Sequence, residues 1–272
     1  MKKYIDISGW QKNVDYEKAS KGLGGVMLRA GYGKGNDDGM FLTHYEGFTR
    51  YGVPVGVYWF SYATNVEEAT NEARYCISAI HGKKIELPVC FDFEDDSVNY
   101  ARNKGVKINK QLATKMAEAF LSTIEQNGYY AMLYANPNFL KNYYGDLSRY
   151  DLWLAHWFNN PNLETPPRQC GIWQYGLCKW DGFTSEVDGD AAYNDYPTII
   201  RNAGLNHLPK EEPQPQVPME PAYVSWAAKH NFLLKDEMDV PATKGDIIRM
   251  LYNYHSTFSE EDNKSYSGLL ER

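Results

Sequence analysis

The chain has 272 residues, 43% of them hydrophobic and 15% aromatic, so it can bury a substantial core and is not a disordered or low-complexity protein. Its formal net charge of −7 argues against a nucleic-acid partner, because an acidic surface repels polyphosphate. No apolar stretch approaches the ~20 residues that cross a bilayer, and none of the four cysteines forms the C-x-x-C spacing of a metal or redox site, so neither membrane insertion nor a redox function is predicted.

Strand and helix patterns alternate along the first part of the chain. Strands are predicted at 4–8, 25–32, 54–63, 87–95, 129–136, 151–157, 171–176 and near 187–193. Helices are predicted at 15–21, at 41–51, at 66–80 with Asn65 as the cap, and at 109–126. The alternation indicates a parallel sheet, and the strand count favours a closed barrel over an open sheet. We therefore predict an α/β fold, an irregular (β/α) TIM-like barrel with about eight strands.

A proline-rich segment follows this body. Residues 207–221 hold five of the 13 prolines, and proline favours an extended, stiff backbone. The sequence thus predicts a barrel of residues 1–206, a linker of 207–221 and a small, mainly helical domain of 222–272. A unit that small has a marginal core, so docking or self-association through it is expected.

Polar and aromatic residues stand near the ends of the predicted strands, where parallel barrels carry their active sites. Carboxylates there are candidates for catalysis, and the aromatic and polar side chains are candidates for binding a glycan. The candidate catalytic residues are Asp6, Asp92, Glu94 and Asp188, and the candidate binding residues are Arg29, Tyr58, Phe60, Tyr62, Tyr134, His156 and Gln174.

Asp92 and Glu94 are two residues apart on the fourth predicted strand, so their side chains share a face. Two such carboxylates repel when both are ionised, which raises one pKa and leaves an acid that keeps its proton near neutral pH. Glycosidases need that pair, one group to protonate the leaving oxygen and one to stabilise positive charge at the anomeric carbon. A solvated acidic loop is the alternative, because Asp95 and Asp96 follow directly.

Other chemistries also bear on these carboxylates. The four acids could hold Mg²⁺ or Ca²⁺ through their oxygens, but no EF-hand loop or histidine cluster accompanies them, and the prediction is no metal and no cofactor. A chitinase-like Asp-x-x-Asp-x-Asp-x-Glu motif fails at Cys90 and Leu87. A barrel that binds glycan without cutting it stays open as an alternative, although the presence of both Asp92 and Glu94 argues against it.

Eight segments in order resemble the glycoside hydrolase family 25 lysozymes, the Chalaropsis-type N-acetylmuramidases. They are YIDISGWQ, VMLRAGYG, GVYWFSYA, CFDFED, LYANPNF, LWLAHW, IWQYG and VDGD, within residues 4–200. The resemblance implies an irregular barrel that cleaves the β-1,4 bond between N-acetylmuramic acid and N-acetylglucosamine in bacterial peptidoglycan. It departs from the family pattern at Asp190, where asparagine is usual, and at Trp59, where histidine is usual.

The resemblance also implies roles for the candidate residues. Glu94 corresponds to the general acid and Asp92 to the partner that stabilises the transition state or intermediate. Asp6 and Asp188 correspond to flanking carboxylates. Tyr58, Tyr134 and Gln174 fall at positions that line the cleft.

Residues 222–272 resemble, more loosely, one S-layer-homology-like repeat, which implies attachment to a wall polymer. A packing or oligomerisation domain is the alternative. The N-terminus has no apolar segment typical of a signal peptide. A lytic barrel with such a tail and no signal peptide resembles a phage endolysin or a prophage-derived lysozyme. We expect such an enzyme to stay in the host cytoplasm until lysis and then to act on the cell wall.

Overall fold

The computed structural model describes residues 1–158 and 161–209. Its strands are β1 (Lys2–Ile7), β2 (Gly25–Tyr32), β3 (Asn36–Asp37), β4 (Val55–Phe60), β5 (Val89–Asp92), β6 (Ala131–Ala135), β7 (Asp151–Ala155), β8 (Ile172–Cys178) and β9 (Val187–Ala192). Its helices are α1 (Tyr16–Ala19), α2 (Phe41–Arg50), α3 (Val66–Ile80), α4 (Asp95–Asn103), α5 (Lys110–Gln126), α6 (Pro137–Asn142) and α7 (Tyr196–Ala203). The predicted domain of 222–272 and most of the predicted linker lie outside the described residues.

Eight of these strands close into a barrel, and the short β3 pairs with β2 beside it. The hydrogen-bonded order is β1-β9-β8-β7-β6-β5-β4-β2, and parallel pairing of β1 with β2 closes the ring. This confirms the predicted α/β barrel. One strand departs from the parallel arrangement that the alternation predicted: β9 runs antiparallel to both β8 and β1. Residues 179–186 are too few for the crossover of about a dozen residues or more that a parallel return requires.

The barrel has an inner and an outer core. The inner one is built from side chains that point to the barrel axis, such as Tyr4, Met27, Tyr58 and Trp153. The outer one lies between the strands and the helices, where α3 and α5 bury their apolar faces. Alternate residues of each strand enter alternate cores, because successive side chains of a strand point to opposite faces.

Capping hydrogen bonds determine the residues at which α3 and α4 begin. Asn65 caps α3 as predicted, since its Oδ1 accepts a hydrogen bond from the backbone N of Glu68 at 2.9 Å. The fourth strand ends earlier than predicted, at Asp92, because Glu94 is the N-cap of α4 and its backbone N donates to Ser97 Oγ at 3.1 Å. The sequence did not lead us to predict α4, α6 or α7.

Two further expectations concern the whole described chain. The four cysteines are free thiols, as expected from their spacing. Within residues 1–158 and 161–209, no helix combines the length and the apolar character that crossing a membrane requires.

Candidate active site

A cavity of about 300 Å³ opens at the end of the barrel where the parallel strands terminate. Ten of the fifteen residues that line it come from the strands themselves, and the other five follow β1, β5 and β7. The lining residues are Asp6, Ile7, Ser8, Trp10, Gln11, Arg29, Tyr58, Phe60, Asp92, Glu94, Tyr134, Trp153, Trp157, Gln174 and Asp188. All four predicted catalytic carboxylates therefore meet in one cavity.

Strand direction explains how Asp188 reaches this mouth. Asp6 is near the end of β1, whereas Asp188 is near the beginning of β9. Because the two strands are antiparallel, the beginning of β9 lies beside the end of β1, and Asp6 and Asp188 are direct cross-strand partners. Like charges directly opposite each other destabilise a sheet, so this pairing favours a neutral carboxyl at one of the two positions.

Asp92 and Glu94 form the second carboxyl pair, in hydrogen-bond contact with each other. Asp92 is 4% exposed, and Glu94 is half-buried at the cavity surface. Burial raises the pKa of both carboxyls; the charge of Glu94 raises that of Asp92 further, while the contact with Asp92 lowers that of Glu94. Asp92 Oδ1 is buried and has no donor among the described residues, so a proton shared between the two carboxyls is the arrangement that satisfies it. The solvated-loop alternative is wrong for Asp92 and Glu94, while Asp95 and Asp96 are exposed as that reading expected.

The pair of Asp6 and Asp188 is also shifted toward the neutral form. Burial, and after it the charge of Asp188, raises the pKa of Asp6 to about 8. Burial raises the pKa of Asp188 to about 6. The amide of Gln174 opposes the shift of Asp6, because its Nε2 donates to Asp6 Oδ2 at 2.9 Å. Of this pair, Asp188 therefore ionises at the lower pH and Asp6 at the higher.

Arg29 is the cation among the residues that line the cavity. Its Nε donates to Asp38 Oδ2 at 2.7 Å, and its guanidinium lies 5.5 Å from the ring centre of Tyr32. Asp38 also accepts from the backbone N of Gly9 at 2.9 Å, which ties the loop after β1 to β2. Held in this way, Arg29 lowers the pKa of Asp92 against the effect of burial.

The predicted binding residues divide into two groups. Arg29, Tyr58, Phe60, Tyr134 and Gln174 line the cavity. Tyr62 and His156 do not. The ring of Tyr62 packs on Tyr32, Phe60 and Tyr100, and that of His156 lies 4.3 Å from the ring of Phe158.

Three tryptophans line the cavity that were not among the candidate binding residues, although Trp157 was predicted to end the sixth strand. Trp10 is 81% exposed at the cavity rim, and Trp157 is 53% exposed. Trp153 is buried beneath the cavity, where its ring contacts Tyr58 and Tyr134 edge to face. The signal available in the sequence was position, because Trp10 follows the first predicted strand and Trp157 ends the sixth.

A larger cavity, of about 750 Å³, lies at the opposite end of the barrel, where β7 and β8 begin. Its central carboxylate, Asp151, accepts hydrogen bonds from Tyr130, Asn194 and Tyr196. A carboxylate held by that many donors is structural. The chemistry is therefore assigned to the smaller cavity, where four carboxyls meet in two pairs.

A metal site would require several of these acids to lie close enough together to bind one ion. In the described part of the chain, no group of three or more histidine, cysteine, aspartate or glutamate side chains is placed to hold a metal ion. The four carboxyls are arranged as two pairs on different strands instead.

Similar proteins share this barrel. The chain is 27% identical over 213 residues to an N,O-diacetylmuramidase of Arthroderma benhamiae, covering 75% of this chain and 83% of the relative. The catalytic domain of endolysin ply40, from bacteriophage P40 of Listeria monocytogenes, matches with a TM-score of 0.62 at 24% identity, over 74% of this chain and 97% of that one. The modular autolysin LytC of Streptococcus pneumoniae, in complex with a synthetic peptidoglycan ligand, matches with a TM-score of 0.60 at 25% identity, over 71% of this chain and 46% of that one.

A family model gives the extent of the similarity along the chain. The model of the glycosyl hydrolases family 25 matches residues 5–177, more than half of the chain. The matched range includes Asp6, Asp92 and Glu94, and Asp188 follows it. With the barrel, the paired carboxyls and this match together, the chain belongs to the glycosyl hydrolases of family 25 and is a glycoside hydrolase.

Proposed function

We propose that the protein is a lysozyme that hydrolyses the β-1,4 bond between N-acetylmuramic acid and N-acetylglucosamine in bacterial peptidoglycan. Glu94 is the general acid and Asp92 the stabilising carboxylate. The observation that carries the proposal is the contact between these two carboxyls in a cavity walled by aromatic rings. The membership in family 25 and the muramidase and lytic enzymes among the similar proteins support the choice of substrate.

Glu94 is better placed than Asp92 to deliver the proton. It is half-buried at the cavity surface, whereas Asp92 is 4% exposed beneath it. A general acid needs a pKa near the working pH, and burial raises the pKa of Glu94 in that direction. When Glu94 passes the shared proton to the glycosidic oxygen, no proton remains between the two carboxyls, and both Glu94 and Asp92 carry negative charge beside the bond that breaks.

Positive charge develops at the anomeric carbon as the bond breaks. Asp92 and the pair of Asp6 and Asp188 surround the cavity with carboxyl groups that stabilise this charge. Their effect is large because the site is partly dehydrated, which strengthens each electrostatic interaction. Arg29 favours the ionised form of Asp92, because its positive charge lowers the pKa of that carboxyl.

The exposed indoles suit a chain of sugars. Trp10 and Trp157 line the cavity and present their rings to solvent. Aromatic rings pack on the apolar faces of pyranoses, while the hydroxyl and amide groups of the sugar find partners such as Gln11 and Ser8. A cavity of about 300 Å³ with an open rim fits one buried sugar ring of a longer strand.

We also propose that residues 222–272 attach the enzyme to a wall polymer, as the S-layer-homology-like pattern suggests, and that the enzyme acts after release by lysis. The test is co-sedimentation of the Glu94→Gln full chain with purified cell walls, against the same protein ending at Glu211. Equal sedimentation of both would contradict the attachment.

The central experiment is digestion of purified peptidoglycan, with the new reducing ends identified by mass spectrometry. Wild type is expected to release fragments that end in reducing N-acetylmuramic acid. The rate at which Glu94→Gln releases them is expected to be lower by ~10²-fold or more, the range expected for removing a general acid. Glu118→Gln is the matched control, because Glu118 is exposed on α5 and does not line the cavity.

Each alternative function has its own outcome in this experiment. Binding of glycan strands by wild type without new reducing ends would favour a barrel that binds and does not cut. Loss of activity in EDTA, restored by Mg²⁺ or Ca²⁺, would favour a metal-dependent hydrolase. Equal activity of Glu94→Gln and Glu118→Gln would show that Glu94 is not the acid.

A further inference from the structure

Asp190 is a fifth carboxyl, which the proposed reaction does not use. It follows Asp188 by two residues in β9, so its side chain also points into the barrel, one layer below the cavity floor. It is 0% exposed. Burying a carboxyl whose hydrogen bonds are incomplete costs free energy of folding, so the presence of Asp190 at this depth requires an explanation.

The two oxygens of Asp190 have different surroundings. Oδ1 accepts a hydrogen bond from Trp153 Nε1 at 2.7 Å. Oδ2 is buried and has no donor among the described residues, and it is the carboxyl of Asp6 that lies within hydrogen-bond reach of Asp190. If both carboxyls were ionised, two anions would face each other with no donor between them. If Asp190 carries a proton, its O–H donates to Asp6 and satisfies the unpaired oxygen.

The groups around Asp190 favour the protonated form. Burial comes first among the causes that raise its pKa, and the charge of Asp6 follows. The titratable neighbours that interact with its carboxyl are Asp6 and Tyr4 on β1, Asp188 on β9, Tyr175 and Cys178 on β8, and Cys90 on β5. None of these neighbours is a cation, so none of them stabilises a carboxylate at this depth.

A neutral Asp190 completes a chain of donors that ends at the cavity. Trp153 donates to Asp190, Asp190 to Asp6, and Gln174 Nε2 donates to Asp6 from the other side. Two directed hydrogen bonds then fix the plane of the Asp6 carboxyl, and each lowers the pKa of Asp6 against the effect of burial.

We propose that Asp190 is a positioning residue, which holds its carboxyl neutral and donates a hydrogen bond to Asp6 so that Asp6 presents its free lone pairs to the cavity. This inference rests on the proposed function only in the test that measures activity. The residue itself touches neither substrate nor the reacting bond.

The first test compares two substitutions of similar shape. Asp190→Asn keeps an N–H donor toward Asp6 and an oxygen acceptor for Trp153, so kcat and KM are expected to stay within about threefold of wild type, since the hydrogen bonds persist. Asp190→Leu removes both, and kcat is expected to fall about 10- to 100-fold, as for the loss of a charge-assisted hydrogen bond, with KM little changed. An Asp190→Asn variant as impaired as Asp190→Leu would overturn the proposal.

The second test does not depend on activity or on the stability of the leucine variant. Carbon-13 NMR of aspartate carboxyls in wild type, with Asp190→Asn for assignment, follows the Asp190 signal from pH 5 to 8. A constant shift at the position of a neutral carboxyl is expected. A carboxylate shift throughout, or a change from the neutral to the carboxylate shift within this range, would overturn the proposal. If wild type fails to cut peptidoglycan, the proposed function fails, and this NMR result still decides the state of Asp190.

Discussion

Gln174 Nε2 donates a hydrogen bond to Asp6 Oδ2 at 2.9 Å, between side chains 168 residues apart in sequence. The other end of the amide is fixed too, since Gln174 Oε1 accepts from Trp157 Nε1 at 2.9 Å and from Tyr134 Oη at 3.1 Å. The amide therefore has one orientation, with its donor toward Asp6. It connects an exposed ring at the cavity rim with a buried carboxyl at its floor.

Replacing this donor with an acceptor is expected to impair both catalysis and folding. Gln174→Glu keeps the shape of the side chain but adds a further carboxyl beside Asp6, so kcat/KM should fall about 10- to 100-fold, the loss expected for a charge-assisted hydrogen bond. Thermal unfolding should show the largest loss of stability above pH 6, where the added carboxyl must ionise. The control is Gln111→Glu, exposed at the start of α5; equal behaviour of the two variants would contradict the role of the amide.

The two exposed aspartates after Glu94 are expected to set the upper end of the pH profile. Asp95 and Asp96 raise the pKa of Glu94, after the larger effect of burial. In the double variant Asp95→Asn, Asp96→Asn the pKa of Glu94 falls, so kcat/KM should begin to decline at a lower pH than in wild type. The difference should shrink in ~1 M salt, where the Debye length is about 3 Å. Asp181→Asn is the control. If the descending limb of the double variant lies at the same pH as that of wild type at low salt, this effect is excluded.

Glu72 offers a test of stability rather than activity. It is 1% exposed on α3, its Oε1 accepts from the backbone N of Tyr62 at 2.9 Å, and burial raises its pKa to about 7. Because the folded-state pKa lies above the unfolded one, the stabilising effect of the neutral form is complete below pH 4.5 and is lost as the pH rises through about 7. Glu72→Gln cannot ionise, so its unfolding free energy relative to wild type should increase by about 3 kcal/mol between pH 4 and 8.

This prediction is checked by urea unfolding at pH 4, 6 and 8, where m-values show whether the transition stays two-state. Glu67→Gln is the control, because Glu67 is exposed in the first turn of the same helix. A stability difference between Glu72→Gln and wild type that does not change with pH would mean that Glu72 titrates normally in the folded protein.

The contact between Asp92 and Glu94 also predicts the stereochemical outcome. Inverting glycosidases separate their two carboxyls by about 6.5–9.5 Å to admit a water molecule, and retaining ones by about 5–5.5 Å. Carboxyls within hydrogen-bond reach of each other leave no such space. We therefore expect retention, so that the first product observed by proton NMR carries the β-anomeric configuration and the α form appears only by mutarotation.

Retention needs a nucleophile, which is either an enzyme carboxylate or the acetamido group of the substrate. The two are distinguished by a substrate whose N-acetyl group is replaced by an amine. Cleavage of that substrate would assign the nucleophile to the protein, and its complete resistance, with unchanged binding, would assign it to the acetamido oxygen. An α-configured first product would contradict retention itself.

The convergence of three of the four candidate carboxyls was predictable because their positions depend on strand ends. Asp6, Asp92 and Glu94 each follow an apolar strand, and parallel strands of a closed barrel end at one mouth. The exact end of β5 was not predictable from the apolar run alone, since the capping contact of Glu94 with Ser97 decides it. Asn136-Pro137 and Tyr196-Pro197 were readable start signals for α6 and α7, since proline is favoured in the first turn of a helix.

The direction of β9 was the main feature that we did not predict, because the alternation of side chains does not contain it. Alternation of side chains is the same whichever way a strand runs. The depth of Asp190 and the pairing of Asp6 with Asp188 both depend on that direction, so neither could be derived from spacing. Trp10 was missed for another reason, because it lies in a loop without periodicity.

The closure of the barrel by β9 has a consequence for where the protein can be shortened. The family match ends at residue 177, yet β9 hydrogen-bonds to both β8 and β1, and Asn206 binds the backbone of Ile85, Leu87 and Tyr130 from beyond it. A chain cut after the matched range would expose two unpaired strand edges, which are templates for aggregation. The smallest soluble unit therefore extends to at least Leu208, and shorter fragments should be recovered as aggregates rather than as weakly active enzymes.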